Sequence, residues 1–343
     1  MIQATGTHVF TTPLPLEEGE LLGNVQVAWA AYGEPSDGKA VVLLHDLAQS
    51  HLALGPPEDS AYRPSGWGSA LVGTNLALEP AVTPVIVPCL LGSPFGSTSP
   101  ATVNPVTGQR WGLELPPLTV QDMARGVSAT LRALGLRQVR ALVGVGLGGH
   151  VALRLAALFP DLAEGVVAIG SARALPEGVR EKLGLSWQVL RADPDYQDGL
   201  YAPEAPPRRT LRKLRLDFQK LLYGREHLSA AFPDAETARA ALEAEAEAFA
   251  DAFDAVSWAS LCSAYAGSDV SDGFSRIRAR VLLVAGASDA MAPVNRVRDT
   301  YHLLSAAGVS ARFLELPGPG DHGALLQDAE RLHAPLSDFL RRC

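Results

Sequence analysis

Hydrophobic and polar positions divide this chain into three regimes. In the first, short apolar runs alternate with helical spacing. Residues 25–32 (VQVAWAAY) are β-rich, 40–45 (AVVLLH) form a continuous apolar run, and 84–87 (PVIV) form another. Runs of this length, apolar on both faces, predict interior strands of a parallel sheet covered by helices on both sides. Residues 119–134 show helical periodicity, with Thr119 as the N-cap and Gly135 as the stop. Residues 139–145 (VRALVGV), a glycine cluster and residues 150–159 read as strand, tight turn and helix, and 165–170 as a further strand. The order β-α-β-α-β implies right-handed crossovers and a doubly wound sheet.

The pattern changes near Ala172. As far as about Gly267 the strand-like runs vanish and the chain turns helical and charged, at 208–222 (RRTLRKLRLDFQKLL) and in the Ala/Glu-rich stretch 236–253, a strong helix former. After Asp272 the strand signals return at 280–285 (RVLLVA) and 311–316 (ARFLEL), and an amphipathic helix is predicted over 324–341. These regimes predict an α/β core made of residues 1–172 and 268–343, with a helical lid inserted at 173–267. There is no internal repeat.

Composition narrows the functional classes. At 343 residues the chain can bury a large core and carry an insertion, and 47% hydrophobic residues with 32 Gly and 25 Pro is a globular make-up. A net charge of −8 argues against a nucleic-acid partner, which needs a clustered basic surface. No apolar stretch approaches the roughly 18 residues of a membrane span, and MIQATGTHVF lacks the basic and apolar regions of a signal peptide, so a cytoplasmic protein is expected. Cys89, Cys262 and Cys343 are far apart, without CxxC spacing, which predicts neither a disulfide framework nor a metal site.

Three positions follow the chain order of an α/β-hydrolase triad: a turn after a strand, an acid after a late strand, and a histidine near the C-terminus. The acid is Asp289, in SDAMAPV after the strand at 280–285, and the base is His322, in LPGPGDHGALL after the strand at 311–316. An Asp at the carboxyl end of one strand and a His after the next can meet above the sheet edge, where the Asp fixes the imidazole tautomer. The turn is GVGLGGH, residues 144–150. A nucleophile elbow needs small residues two positions either side of its apex; Gly144 and Gly148 meet that need, so Gly146 is the apex. Glycine has no attacking atom, and no Ser, Cys or Asp lies within the turn. An oxyanion hole can still form from the backbone N–H of Leu147 and one from the loop after the first core strand, at Leu47 in HDLAQS. Gly144, Gly146 and Gly149 also match G-x-G-x-x-G. The next strand, however, ends in Gly170, Ser171 and Ala172, without the acidic residue that would hold a ribose, so NAD is not the expected ligand.

With these residues in view, AYGEPSDGKAVVLLHDL, GWGSALVG, LLGSPFGSTSPATVNPVTGQRWGLELPPLTVQDM and ALVGVGLGGHVALRLAALFPD resemble successive blocks of the homoserine O-acetyltransferase family. RADPDYQDGLY and FDAVSW in the lid, and SDAMAPV and DHGALL in the tail, extend the resemblance over most of the chain. It implies an α/β-hydrolase fold, a homodimer whose lid helices cover an active-site tunnel, and a role in methionine biosynthesis. It also implies acyl transfer from acetyl-CoA or another acyl-CoA as co-substrate through an acyl-serine, with no bound cofactor. Carried over residue by residue, the acid falls on Asp289, the base on His322, the oxyanion donors on Leu47 and Leu147, and the substrate-binding arginine on Arg215, with Arg212 close enough to compete. Two positions depart from the family: the serine is Gly146, and the aspartate after the base, which holds the substrate's amine, is Gly323, while Asp321 precedes the histidine. Removing the serine of such a triad costs about 10⁶ in kcat.

Three readings follow. The chain is a degenerate member that keeps the fold and binds ligands or partners without catalysis. Alternatively it is a hydrolase or acyltransferase using the His322–Asp289 dyad as a general base without an acyl-enzyme. In the third, it is a conventional acetyltransferase with a nucleophile supplied from elsewhere. Restoring Gly146→Ser with Gly323→Asp is expected to recover activity in part at best.

Overall fold

Among the described residues, eight strands, most of them set by short apolar runs, join one sheet. The computed structural model describes residues 4–55, 66–316, 318, 321–326 and 329–343. The strands are β1 (Ala4–Val9), β2 (Leu14–Pro15), β3 (Leu21–Leu22), β4 (Gln26–Tyr32), β5 (Val41–Leu44), β6 (Val85–Pro88), β7 (Val139–Val145), β8 (Ala163–Ile169), β9 (Arg280–Gly286) and β10 (Ala311–Leu316). Their order across the sheet is β1-β4-β6-β5-β7-β8-β9-β10, with β2 and β3 forming a separate ribbon. From β6 to β10 every neighbouring pair is parallel, whereas β4 runs antiparallel to both β1 and β6. The parallel strand expected at 25–32 is thus corrected to an antiparallel one. The link from β4 to β5 is too short to hold the crossover helix that a parallel arrangement needs. β1 was not expected at all: its sequence, ATGTHV, is mostly exposed and polar, and it is recruited as an edge by backbone pairing along β4.

Side chains of the central strands alternate between two cores. Val42 and Leu44 of β5, with Leu142 and Val166, face the larger core; Val41 and Leu43, with Val143 and Ile169, face the smaller one. The helices are α1 (Val120–Ala133), α2 (Leu147–Leu158), α3 (Glu177–Arg191), α4 (Arg208–Leu222), α5 (Arg225–Ala231), α6 (Ala235–Ala252), α7 (Ala255–Gly267), α8 (Val294–Ala306) and α9 (Ala329–Arg341). α1, α2 and α8 cover the larger core, while Leu332, Leu336 and Phe339 of α9 seal the other. The helix expected over 324–341 is a short 3₁₀ turn, Ala324–Leu326, followed by α9; residues 327–328 of that expectation lie outside the described residues. Thr119 caps α1 as expected: its hydroxyl accepts from the Asp122 N–H, and the Asp122 carboxylate answers at the Thr119 N–H.

Between β8 and β9 the chain runs through α3 to α7. Here α4 packs on α6, and Phe218, Phe249, Phe253 and Trp258 interlock edge-to-face and stacked with ring centroids 4.7–5.7 Å apart. No helix among the described residues is long and apolar enough to cross a membrane.

Candidate active site

Four loops at the carboxyl edge of the parallel strands converge. They follow β5, β7, β9 and β10, and each delivers one residue: Asp46, Gly146, Asp289 and His322. Gly146 adopts φ 51°, ψ −116°, a conformation L side chains rarely take, so the contorted elbow is present with a residue that carries it without strain. Its N–H donates to Ile169 O at 3.0 Å, and its carbonyl accepts from Ser171 Oγ at 2.8 Å. The flanking glycines are required: a Cβ on Gly144 would collide with the backbone of Gly148, and one on Gly148 with the carbonyl of Leu44.

Asp289 and His322 come together as the sequence predicts. Asp289 Oδ1 accepts from the N–H groups of Met291 and Ala292 at 2.8 and 2.9 Å, and Oδ2 lies 2.8 Å from His322 Nδ1. This fixes Nδ1–H toward the carboxylate and turns Nε2 toward the elbow. The side chains are 0% and 2% exposed, respectively.

The elbow is not empty. Asp46, one residue before the predicted oxyanion donor, turns its carboxylate into the space beside Gly146, where a Cβ on that glycine would come within 2.5 Å of Asp46 Cγ. Asp46 Oδ1 accepts from Leu147 N–H at 2.8 Å, and the adjoining Leu47 N–H helps to hold this carboxylate's pKa down. The N–H expected at Leu147 as an oxyanion donor is thus engaged by a charge of the chain itself. Asp46 Oδ2 stands 3.4 Å from His322 Nε2, an ion-pair distance longer than a good hydrogen bond. The loop is pinned: Asp46 N–H donates to Gln49 Oε1 at 2.9 Å, and Leu90 N–H donates to His45 Nε2, leaving His45 Nδ1–H for Asp46 O at 2.9 Å. Burial holds the His45 imidazole neutral, with its pKa down at about 4.

His322 thus sits between two carboxylates. Burial opposes its charge, but Asp289 and then Asp46 outweigh burial and raise its pKa to about 10. Asp46 is likewise resisted by burial, yet His322 and the two N–H donors hold it below the ordinary carboxylate range. Because the folded pKa of His322 lies above the unfolded value of 6.5, its stabilisation is full below about pH 6.5 and is lost as pH rises toward 10. Thermal melts between pH 6 and 10 are expected to fall in Tm, and Asp46→Asn is expected to flatten that fall. An equal slope in both proteins would refute the coupling.

The second departure is filled as well. At Gly323 a Cβ would strike the ring of Tyr223, which follows α4 and stacks on His227 at 5.5 Å. Asp321 does not replace the missing acid, because its Oδ2 accepts from Gly224 N–H at 2.6 Å and its Oδ1 from Ala324 N–H at 2.9 Å. Arg215 is buried on α4 and turned to α6: its Nε is 3.0 Å from both oxygens of Glu245, and its guanidinium lies over Phe218 and Phe249. Arg212 is a third exposed and pairs with Glu247 at 2.8 Å. No cluster of three or more His, Cys, Asp or Glu that could hold a metal occurs among the described residues.

A contorted turn after a central strand, with an acid and a histidine from the next strand ends, defines an α/β hydrolase, and the model of the "Alpha/beta hydrolase family" matches residues 41–334. The chain is 32% identical to a homoserine O-acetyltransferase of Symbiobacterium thermophilum over 96% of its length and 92% of the relative's. It is 31% identical to a serine O-succinyltransferase of Stenotrophomonas maltophilia, over 98% and 97%. The crystal structure of homoserine O-acetyltransferase from Bacillus anthracis superposes with a TM-score of 0.85 at 21% identity, covering 99% of this chain and 98% of that one. The chain belongs to the homoserine O-acetyltransferase family of α/β hydrolases.

Asp46 is the residue the sequence reading passed over. It lies a hundred residues from the turn it fills, and its only local signal is an acid directly before an oxyanion donor in HDLAQS.

Proposed function

We propose that this chain is a homoserine O-acetyltransferase-like protein in which acyl transfer through an acyl-enzyme is lost or severely impaired. The observation that carries this reading is the Asp46 carboxylate held by Leu147 N–H at 2.8 Å against an apex that has no side chain. A thioester carbonyl needs such a donor as its oxygen turns negative, and removing one costs about 10²–10³ in kcat. Here a charged competitor is tethered in place, and charge-assisted hydrogen bonds are about twice as strong as neutral ones. The missing serine alone costs about 10⁶, and the two losses act on one step, so they do not simply multiply.

A general-base dyad is less well supported for the resting protein, because an imidazole with its pKa raised to about 10 is already protonated at neutral pH. Acyl-CoA as a ligand, Arg215 as the substrate-binding arginine, a homodimer formed through a lid at 173–267, and a cytoplasmic site of action are carried over as part of this proposal from family resemblance and chain pattern. The test is to incubate the pure chain with acetyl-CoA or succinyl-CoA and homoserine or serine, and to follow free CoA and O-acyl product. CoA release at the protein-free rate is expected. Turnover within tenfold of a working relative would sink the reading.

A further inference from the structure

We infer that Asp321 is a positioning residue that clips His322 to the junction of α4 and α5, so that displacing this junction withdraws the imidazole from Asp46. This coupling belongs to the fold and holds whether or not acyl transfer is lost.

The two neighbours of His322 are both tied to the chain that leaves α4. Gly323 N–H donates to Leu222 O at 2.8 Å, and Gly224 N–H donates to Asp321 Oδ2 at 2.6 Å. Between these bonds the Tyr223 ring packs on Gly323, in the space a Cβ would need. Residues 222–224 and 321–323 thus face each other as two short antiparallel strands do, with the Asp321 carboxylate closing the rung that a backbone carbonyl would close. Asp321 is buried, and its other oxygen accepts from Ala324 N–H at 2.9 Å, so the carboxylate is braced within its own turn and transmits a pull from Gly224 to the residues around it.

The imidazole itself rests on Gly170 at the end of β8, where a Cβ would meet His322 Cε1 at 3.0 Å and Nδ1 at 3.1 Å. The ring therefore has a floor in the sheet and a tether in the helical segment. Its bond to Asp289 is 2.8 Å long, whereas Asp46 stands at 3.4 Å, beyond a good hydrogen bond. A lift of the junction breaks the longer contact first. The junction leads into α5, none of whose residues is buried, so little apolar contact holds that helix down.

The proton on His322 is the readout. Against burial, Asp289 and then Asp46 raise its pKa to about 10, a value followed by the carbon-13 shift of Cε1 in histidine-labelled protein between pH 6 and 11. The signal is assigned by its loss in His322→Gln. The charged groups against the ring are Asp46 and Asp289, and Asp321 is its neighbour in the chain, so the variants must separate charge from position. Asp321→Asn removes the charge and keeps an oxygen for Gly224 N–H. Gly224→Pro keeps the charge and removes the donor. Gly224 has φ −79° and ψ 163°, and Tyr223 before it is extended, so the backbone accepts proline there.

Gly224→Pro and Asp321→Ala, each checked for folding by near-UV circular dichroism, are expected to lower the His322 pKa by about one unit or more, a tenfold loss of proton affinity. Asp321→Asn is expected to lower it by less than half as much. An unshifted pKa in Gly224→Pro would overturn the proposal. So would a fall in Asp321→Asn as large as in Asp321→Ala, since charge alone would then account for the effect. Hydrogen exchange gives a second test without any variant: the amides of Gly224 and Gly323 are expected to open with equilibrium constants within about tenfold of each other, because one clip protects both. A wider gap would overturn the coupling.

Discussion

Gly146→Ser alone is expected to leave CoA release from acetyl-CoA at background, while Gly146→Ser combined with Asp46→Ala is expected to raise it by about 10²-fold or more, the scale of a regained oxyanion donor. The single change fails for two physical reasons. The new Cβ enters space held by the Asp46 carboxylate, and the φ of 51° charges a non-glycine residue about 1–3 kcal/mol of strain. Removing the Asp46 carboxylate frees Leu147 N–H for a thioester oxygen, and it removes one of the charges that keep His322 protonated, so the imidazole can act as base. The readouts are CoA release and an acyl group trapped on residue 146. A single variant that acylates as fast as the double would show that Asp46 does not block the elbow. Gly323→Asp is expected to add little beside either change while Tyr223 remains, since the ring fills the place that an aspartate needs.

The second large effect is on stability. Gly148→Ala is expected to cost about 3 kcal/mol or more, at the upper end of overpacking penalties, because the added methyl meets the Leu44 carbonyl and not a side chain that can swing aside. Gly144→Ala meets the backbone of Gly148 and Gly149 and should behave alike. By contrast, Gly178→Ala in α3 has open space and should be neutral or stabilising. Chemical denaturation of the three variants decides this: equal midpoints for Gly148→Ala and wild type would mean the elbow can relax.

Much of the fold could be read from the chain because its strands and helices are strongly patterned. The helix at 208–222 and the strands at 139–145 and 311–316 appear with the predicted bounds, and the elbow and the Asp289–His322 pair follow from spacing along those strands. What escaped has a common cause. The direction of β4, the recruitment of ATGTHV as an edge strand, the seat of Asp46 and the filling of Gly323 by Tyr223 are all decided by partners remote in sequence, and none of those partners alters local periodicity.

The contorted turn at Gly146 and the carboxylate that fills it are interlocked. A serine placed there alone meets an occupied, twisted site, and removal of the aspartate alone leaves an apex with no attacking atom, so the effects of the two positions are expected to be non-additive and neither can be read from its single variant.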